Sequence, residues 1–148
     1  MSALNILLVD DKRNLVTALS HGLRKAMGKA ISVAVCFSGS EALSMLAAQR
    51  FDVVISDFNI LGVSGLELMN KIRQDYRETI LILTTAYGTD ALEEEVHRLG
   101  IGYITKPIGL SLLVQFIHDL IRDETENVPR IRIPEPKGNT GMLDDSRM

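Results

Sequence analysis

The chain has 148 residues, 46% hydrophobic and 5% aromatic, with no Trp; it suits one domain plus a tail, with a core of Leu, Ile, Val and Ala. A net charge of −3 argues against electrostatic binding of nucleic acid, and the single cysteine, Cys36, excludes an internal disulfide and reads as a small buried hydrophobe. No apolar run approaches the roughly 18 residues of a membrane span, and the N-terminus lacks the basic and apolar regions of a secretory signal, so a soluble, reducing, cytoplasmic setting is expected.

Asn5 to Val9 is the first predicted strand, and it ends in Asp10 and Asp11. From Lys12 to about Met27 the apolar positions Leu15, Ala18, Leu19, Leu23 and Ala26 predict a helix, which Gly28 closes. Ile31 to Phe37 is the second strand. Ser38 is an N-cap, and Glu41 three residues on completes a capping box; that helix carries Ala42, Leu43, Leu46 and Ala47 to about Gln49.

Val53 to Ser56 forms a third strand, mostly β-branched, with no polar alternation, as a strand buried on both faces should read. It runs straight into Asp57. After a loop from Asn59 to Ser64 containing Gly62, a helix from Gly65 to about Arg73 turns Leu66, Met69 and Ile72 inward. Thr79 to Thr84 is the fourth strand and Gly88 marks the turn after it. Asp90 to Leu99 is a helix whose Glu93, Glu94 and Glu95 read as a solvated face, closed by Gly100. Gly102 to Thr105 is the fifth strand, Lys106 and Pro107 break the chain, and Leu110 to Arg122 is the last helix, with Leu112, Leu113, Phe116, Ile117 and Leu120 on one stripe.

Strands alternating with helices imply a parallel sheet covered on both faces. Right-handed crossovers leave few topologies, and the expectation is a doubly wound, flavodoxin-like α/β fold of five parallel strands in the order 2-1-3-4-5. Residues 1–123 make up this domain. Residues 124–148, with Pro129, Pro134 and Pro136, read as a disordered tail or linker. Arg130 to Ile133 alternates like a strand, but the neighbouring prolines oppose one.

In that topology the C-terminal ends of the strands share one rim, where open α/β sheets keep their ligands. The rim gathers Asp10 and Asp11, Asp57, Thr84 and Thr85, and Tyr103, Thr105 and Lys106. Three packed carboxylates repel unless a cation intervenes. Hard oxygen donors suit Mg²⁺. Lys106 supplies a point charge that reaches Asp57 or an anion on it, and Thr85 a hydroxyl. Metal, lysine and hydroxyl around one carboxylate suit phosphoryl transfer, with Asp57 as nucleophile. Read alone, Asp10 and Asp11 could start a helix, Lys106 could be a turn lysine, Thr85 a strand end, Tyr103 a core aromatic and Asn59 a turn former. His21, His97 and His118 fall on helices without partners at metal spacing and read as surface residues.

Taken together and in order, Asp10 and Asp11, Asp57, Thr85 and Ala86, and Tyr103, Lys106 and Pro107 resemble the receiver domain of two-component response regulators, over residues 4 to about 123. The resemblance implies that Asp57 accepts phosphate from a sensor histidine kinase or phosphotransfer protein. It implies that Asp11, Asp57 and the backbone carbonyl of Asn59 bind Mg²⁺, with Asp10 acting largely through water, and that Lys106 pairs with the phosphate. It further implies that Thr85 moves to hydrogen-bond the phosphate and that Tyr103 turns inward. That repacks the face of the fourth helix, fifth strand and fifth helix, which protein partners read. The Lys106–Pro107 peptide is expected to be cis. Where the family has a proline four residues after the acceptor, this chain has Leu61, followed by Gly62, which implies a looser loop. The resemblance also implies that Asn59 and Tyr87 stand where the family tunes how quickly the phosphate is lost.

Two other functions compete. A phosphatase with an aspartate nucleophile needs an acid two residues after it, where Asn59 stands, and a cap domain. A receiver-like interaction domain that takes no phosphate would not need the complete acidic set. The expectation is therefore a phosphorylation-driven switch that assists its own chemistry but is not otherwise an enzyme. No helix-turn-helix or ATPase motif is read after residue 123. The chain is expected to act through protein contacts, without direct nucleic-acid or membrane binding; the alternative is a tail linked to an output domain. A phosphorylation-dependent homodimer is left open.

Overall fold

The computed structural model describes residues 3–60, 62 and 64–122. Strands and helices alternate: β1 (Leu4–Val9), α1 (Arg13–Met27), β2 (Ile31–Cys36), α2 (Gly39–Ala48), β3 (Val53–Asp57), α3 (Gly65–Asp75), β4 (Ile80–Thr85), α4 (Asp90–Arg98), β5 (Gly102–Thr105) and α5 (Leu110–Arg122), with a 3-10 turn at Gly28–Ala30. The strands form one parallel sheet in the order β2-β1-β3-β4-β5, as expected.

The two-residue period of a strand divides the core into two layers. Leu7 and Val9 of β1, Val54 of β3, and Leu81 and Leu83 of β4 face Ala42 and Leu46 of α2, Leu68, Met69 and Ile72 of α3, and Val96 of α4. Ile6 and Leu8, Val53 and Ile55, and Ile82 face Val16 and Leu23 of α1 and Leu113, Ile117 and Leu120 of α5. All five residues of β3 are buried, which explains its apolar run. Leu113 is fully buried where α5 meets the sheet; Leu113→Ala is expected to cost about 2–5 kcal/mol in urea unfolding.

The helix starts follow their caps. Ser38 Oγ accepts the Glu41 N–H at 3.2 Å, and Glu41 reaches back to the N–H of Phe37 at 2.7 Å, one residue before the usual partner. Ser64 and Thr89 cap α3 and α4 through the N–H groups of Glu67 and Leu92, at 3.1 Å each. Gly28, at φ 56°, ends α1.

The face of α1 differs from the expected one. Its buried residues are Val16, Ser20, Leu23 and Met27, whereas Ala18 and Ala26 are exposed and Leu15 is 54% exposed. At about 100° per residue Val16 and Met27 lie closer to the azimuth of Leu23 than Leu15 and Ala18 do. Ser20 tolerates burial because its hydroxyl donates to the Thr17 carbonyl at 3.1 Å. In α3, Leu68 is buried where Leu66 was expected, and Leu66 is half-buried. His21, His97 and His118 are exposed, and Cys36 is buried. Burial pushes the Cys36 thiol up to about 11, which makes it an inert core group. The tail after residue 123, with Arg130 to Ile133, and the expected proline position at Leu61 lie outside the described residues.

Candidate functional site

The site is the rim formed where β1, β3, β4 and β5 end. Asp10 follows β1 directly, its N–H bound to the Cys36 carbonyl at 3.2 Å. Its Oδ1 accepts the Lys12 N–H at 3.0 Å, which turns the chain into α1. Asp57 ends β3. The next N–H, of Phe58, donates to the Thr84 carbonyl at 2.7 Å, and the Lys106 N–H to the Thr85 carbonyl at 2.8 Å. Sheet pairing therefore carries the backbone of all three strand ends to one level. The Lys106–Pro107 peptide is cis, as expected.

One carboxylate oxygen from each of Asp10, Asp11 and Asp57 lies within 4.8 Å of the other two. Asp10 and Asp57 are buried, and Asp11 is exposed. Lys106 Nζ lies 3.0 Å from Asp10 Oδ2 and 3.5 Å from Asp57 Oδ1. The lysine expected to meet Asp57 thus meets Asp10 first. Both Asp10 oxygens already accept hydrogen bonds, and Asp57 Oδ1 shares the Lys106 ammonium. This hard, all-oxygen set, three acids against one ammonium, fits a divalent ion of the Mg²⁺ type.

Burial is the main force that raises the Asp57 carboxyl above its ordinary value of 3.8. Lys106 pulls it down, Asp10 pushes it up, and Lys12 pulls it down more weakly. A raised folded-state value means that the protonated form favours folding. That contribution is fully present below pH 3.8 and is lost as pH rises through the folded value. In metal-free buffer Asp57→Asn is therefore expected to raise the melting temperature at pH 7, with the gap closing as pH falls towards 4; thermal melts across that range check it.

Thr85 is 1% exposed and its Oγ1 accepts the Tyr87 N–H at 3.2 Å. Tyr103 is half-buried on β5, and Tyr87 is 88% exposed. Asn59 is exposed two residues beyond Asp57, in an isolated antiparallel bridge to Ser64. The rim thus brings together Asp10, Asp11, Asp57 and Lys106, with Thr85 buried on the adjoining strand end.

Two residues important to the site were not singled out from sequence. Ser56, fully buried, donates its hydroxyl to the Asp57 carbonyl at 3.0 Å. Gly65 donates its N–H to the Phe58 carbonyl at 2.6 Å, and a Cβ there would lie 2.3 Å from the Asp57 carbonyl oxygen and 2.8 Å from Phe58 Cα. The only signal for Gly65 was a glycine directly after an N-cap serine, where helices rarely need one.

A sheet of this order with an acidic hollow and a lysine at its rim defines a receiver-type α/β domain. The profile of the response regulator receiver domain matches residues 6–118, and the chain belongs to that family, the receivers of two-component systems. Among curated relatives, the response regulator protein FleR of Pseudomonas aeruginosa is 37% identical over 116 residues, covering 78% of this chain and 24% of that one. An uncharacterized transcriptional regulatory protein of Bacillus subtilis, YkoG, is 30% identical over 130 residues, covering 84% and 55%. The chain thus spans about a quarter to a little over half of the length of these relatives. Among solved structures, a chemotaxis response regulator of Vibrio cholerae is similar with a TM-score of 0.70 at 28% identity, over 79% of this chain and 98% of that one. A CheY-like receiver domain protein of Methanospirillum hungatei shares the fold at a TM-score of 0.75 and 23% identity, over 85% and 100%. Among the described residues no helix is long and apolar enough to cross a membrane.

Proposed function

We propose that residues 1–123 act as a phosphorylation switch, with Asp57 taking a phosphoryl group from a phosphohistidine on a sensor kinase or phosphotransfer protein. The observation that carries this reading is the convergence of the Asp10, Asp11 and Asp57 oxygens with Lys106 Nζ at one rim. An Asp57 carboxylate oxygen attacks phosphorus as the P–N bond breaks, and the donor imidazole leaves with the electron pair and gains a proton. Lys106 neutralises charge on the transferred group, moving from Asp10 towards it. Asp11, Asp57 and the Asn59 carbonyl would hold Mg²⁺, with Asp10 acting through water. The ion, when bound, offsets the charge of the acids and of the phosphoryl oxygens. The Thr85 hydroxyl, which accepts the Tyr87 N–H, turns to the new phosphate. Tyr103 follows, and the face of α4, β5 and α5 changes.

Asn59, standing where an aspartate-nucleophile phosphatase would need its acid, supports a signalling role over ester turnover. Cytoplasmic placement, output through a protein partner, and a phosphorylation-dependent homodimer on the α4–β5–α5 face belong to the same proposal. Mass in solution with and without beryllofluoride tests the dimer.

Intact mass after incubation with acetyl phosphate and Mg²⁺ tests the chemistry. One added phosphoryl group is expected, and none with chelator or in Asp57→Asn. Steady turnover of phosphate esters would favour the phosphatase, and no adduct the phosphate-free interaction domain. Mg²⁺ at ten times its Kd is expected to stabilise the protein by about 1.4 kcal/mol, an effect absent from Asp11→Asn in thermal melts.

A further inference from the structure

Gly88 lies in the loop between β4 and α4, and it is not among the glycines with positive φ, which among the described residues are Gly28, Gly62 and Gly100. Its backbone therefore does not need glycine. The space around it does: a Cβ on residue 88 would lie 1.7 Å from Tyr103 Oη, 3.0 Å from Tyr103 Cζ and 3.3 Å from Thr85 Cγ2. The end of the Tyr103 ring fills the volume that any other residue would claim, with the Thr85 methyl group alongside.

We infer that Gly88 is a positioning residue for Tyr103: the missing side chain lets the tyrosine rest against the β4–α4 loop, and the size of residue 88 sets how far Tyr103 stays there rather than in solvent. The inference deepens the proposed switch and rests on Tyr103 being its mobile element. The conflict with a Cβ falls on the far end of a rotatable side chain, not on backbone. The cheapest relief is for the ring to swing out by a change of rotamer, leaving sheet and loop in place. The Tyr103 ring end and the Thr85 methyl group both border that space, so a side chain at residue 88 would press on both groups of the proposed switch. The state read by a partner at the α4–β5–α5 face then depends on a residue that touches neither the phosphate nor, necessarily, the partner.

The test uses the full chain labelled with fluorotyrosine. It has three tyrosines, Tyr76, Tyr87 and Tyr103, so three ¹⁹F signals are expected, each assigned by its Phe variant. In Gly88→Ala the Tyr103 signal is expected to move towards that of exposed Tyr87 and to gain a solvent-isotope shift. Beryllofluoride with Mg²⁺, which shifts it in the wild type, is expected to move it less. A Tyr103 signal in Gly88→Ala that matches the wild type would overturn the inference. If Gly88→Ala fails to fold, adding Tyr103→Ala is expected to restore folding, because the clashing ring is gone; a double variant that stays unfolded also overturns it. A wild-type Tyr103 signal indifferent to beryllofluoride removes the switch reading of Tyr103 instead, and leaves the steric role of Gly88 to be judged on the variant's signal.

Discussion

Lys106→Met is expected to slow phosphoryl uptake from acetyl phosphate about 100-fold, the scale of losing one fixed charge-stabilising donor from a reacting centre. The side chains involved are nearly dry: 12% exposed for Lys106, 11% for Asp10 and 6% for Asp57. Methionine keeps much of the length and removes the charge, so the effect reads electrostatics rather than a cavity. The same change leaves Asp10 and Asp57 facing each other without their cation, and in metal-free buffer it is expected to cost about 3 kcal/mol at pH 7. The cost should shrink as pH falls and the Asp57 carboxyl, raised by burial, protonates. Time-resolved intact mass measures the rate and urea titrations at two pH values measure the stability. An unchanged rate would place Lys106 outside the chemistry, and a pH-independent cost would mean that it acts by packing.

Gly65→Ala is expected to destabilise the fold by about 3 kcal/mol, at the upper end of overpacking effects. The clash would be with the Asp57 carbonyl oxygen at 2.3 Å and Phe58 Cα at 2.8 Å, and backbone cannot rotate away as a side chain can. Relief must move the β3 end or the start of α3, and moving the β3 end moves Asp57. Slower phosphoryl uptake should therefore accompany the lost stability. Urea unfolding and the adduct rate together check this; a variant of native stability would show that the α3 start yields freely. Gly88→Ala contrasts, because there the obstacle is a tyrosine end that can leave.

The layered fold was readable in advance because its signals are local and redundant. The apolar runs at Asn5 to Val9 and Val53 to Ser56 read as buried strands through their short length and β-branched content, and Ser38 with Glu41 marked a helix start that the structure shows capped. The parallel order then placed Asp57 and Lys106 on one rim, although 49 positions separate them in the sequence. The α1 face was misread because Leu15 and Val16 are both apolar and only the azimuth relative to Leu23 and Met27 separates them. Nor could spacing show that Lys106 meets Asp10 before Asp57, or that Gly65 and Gly88 each make room for a group from elsewhere in the fold. Those are distances of a few tenths of an ångström to a few ångströms, set by packing between elements, and no pattern within one element records them.

The identity of the phosphorylated atom is the most direct test of the whole account. Protein treated with acetyl phosphate and Mg²⁺ is reduced with borohydride, which converts an acyl phosphate of aspartate to homoserine, and the peptides are then sequenced by mass spectrometry. Homoserine at position 57 and at no other aspartate is the expected result; homoserine at position 10, 11 or 52, or at none, would contradict it.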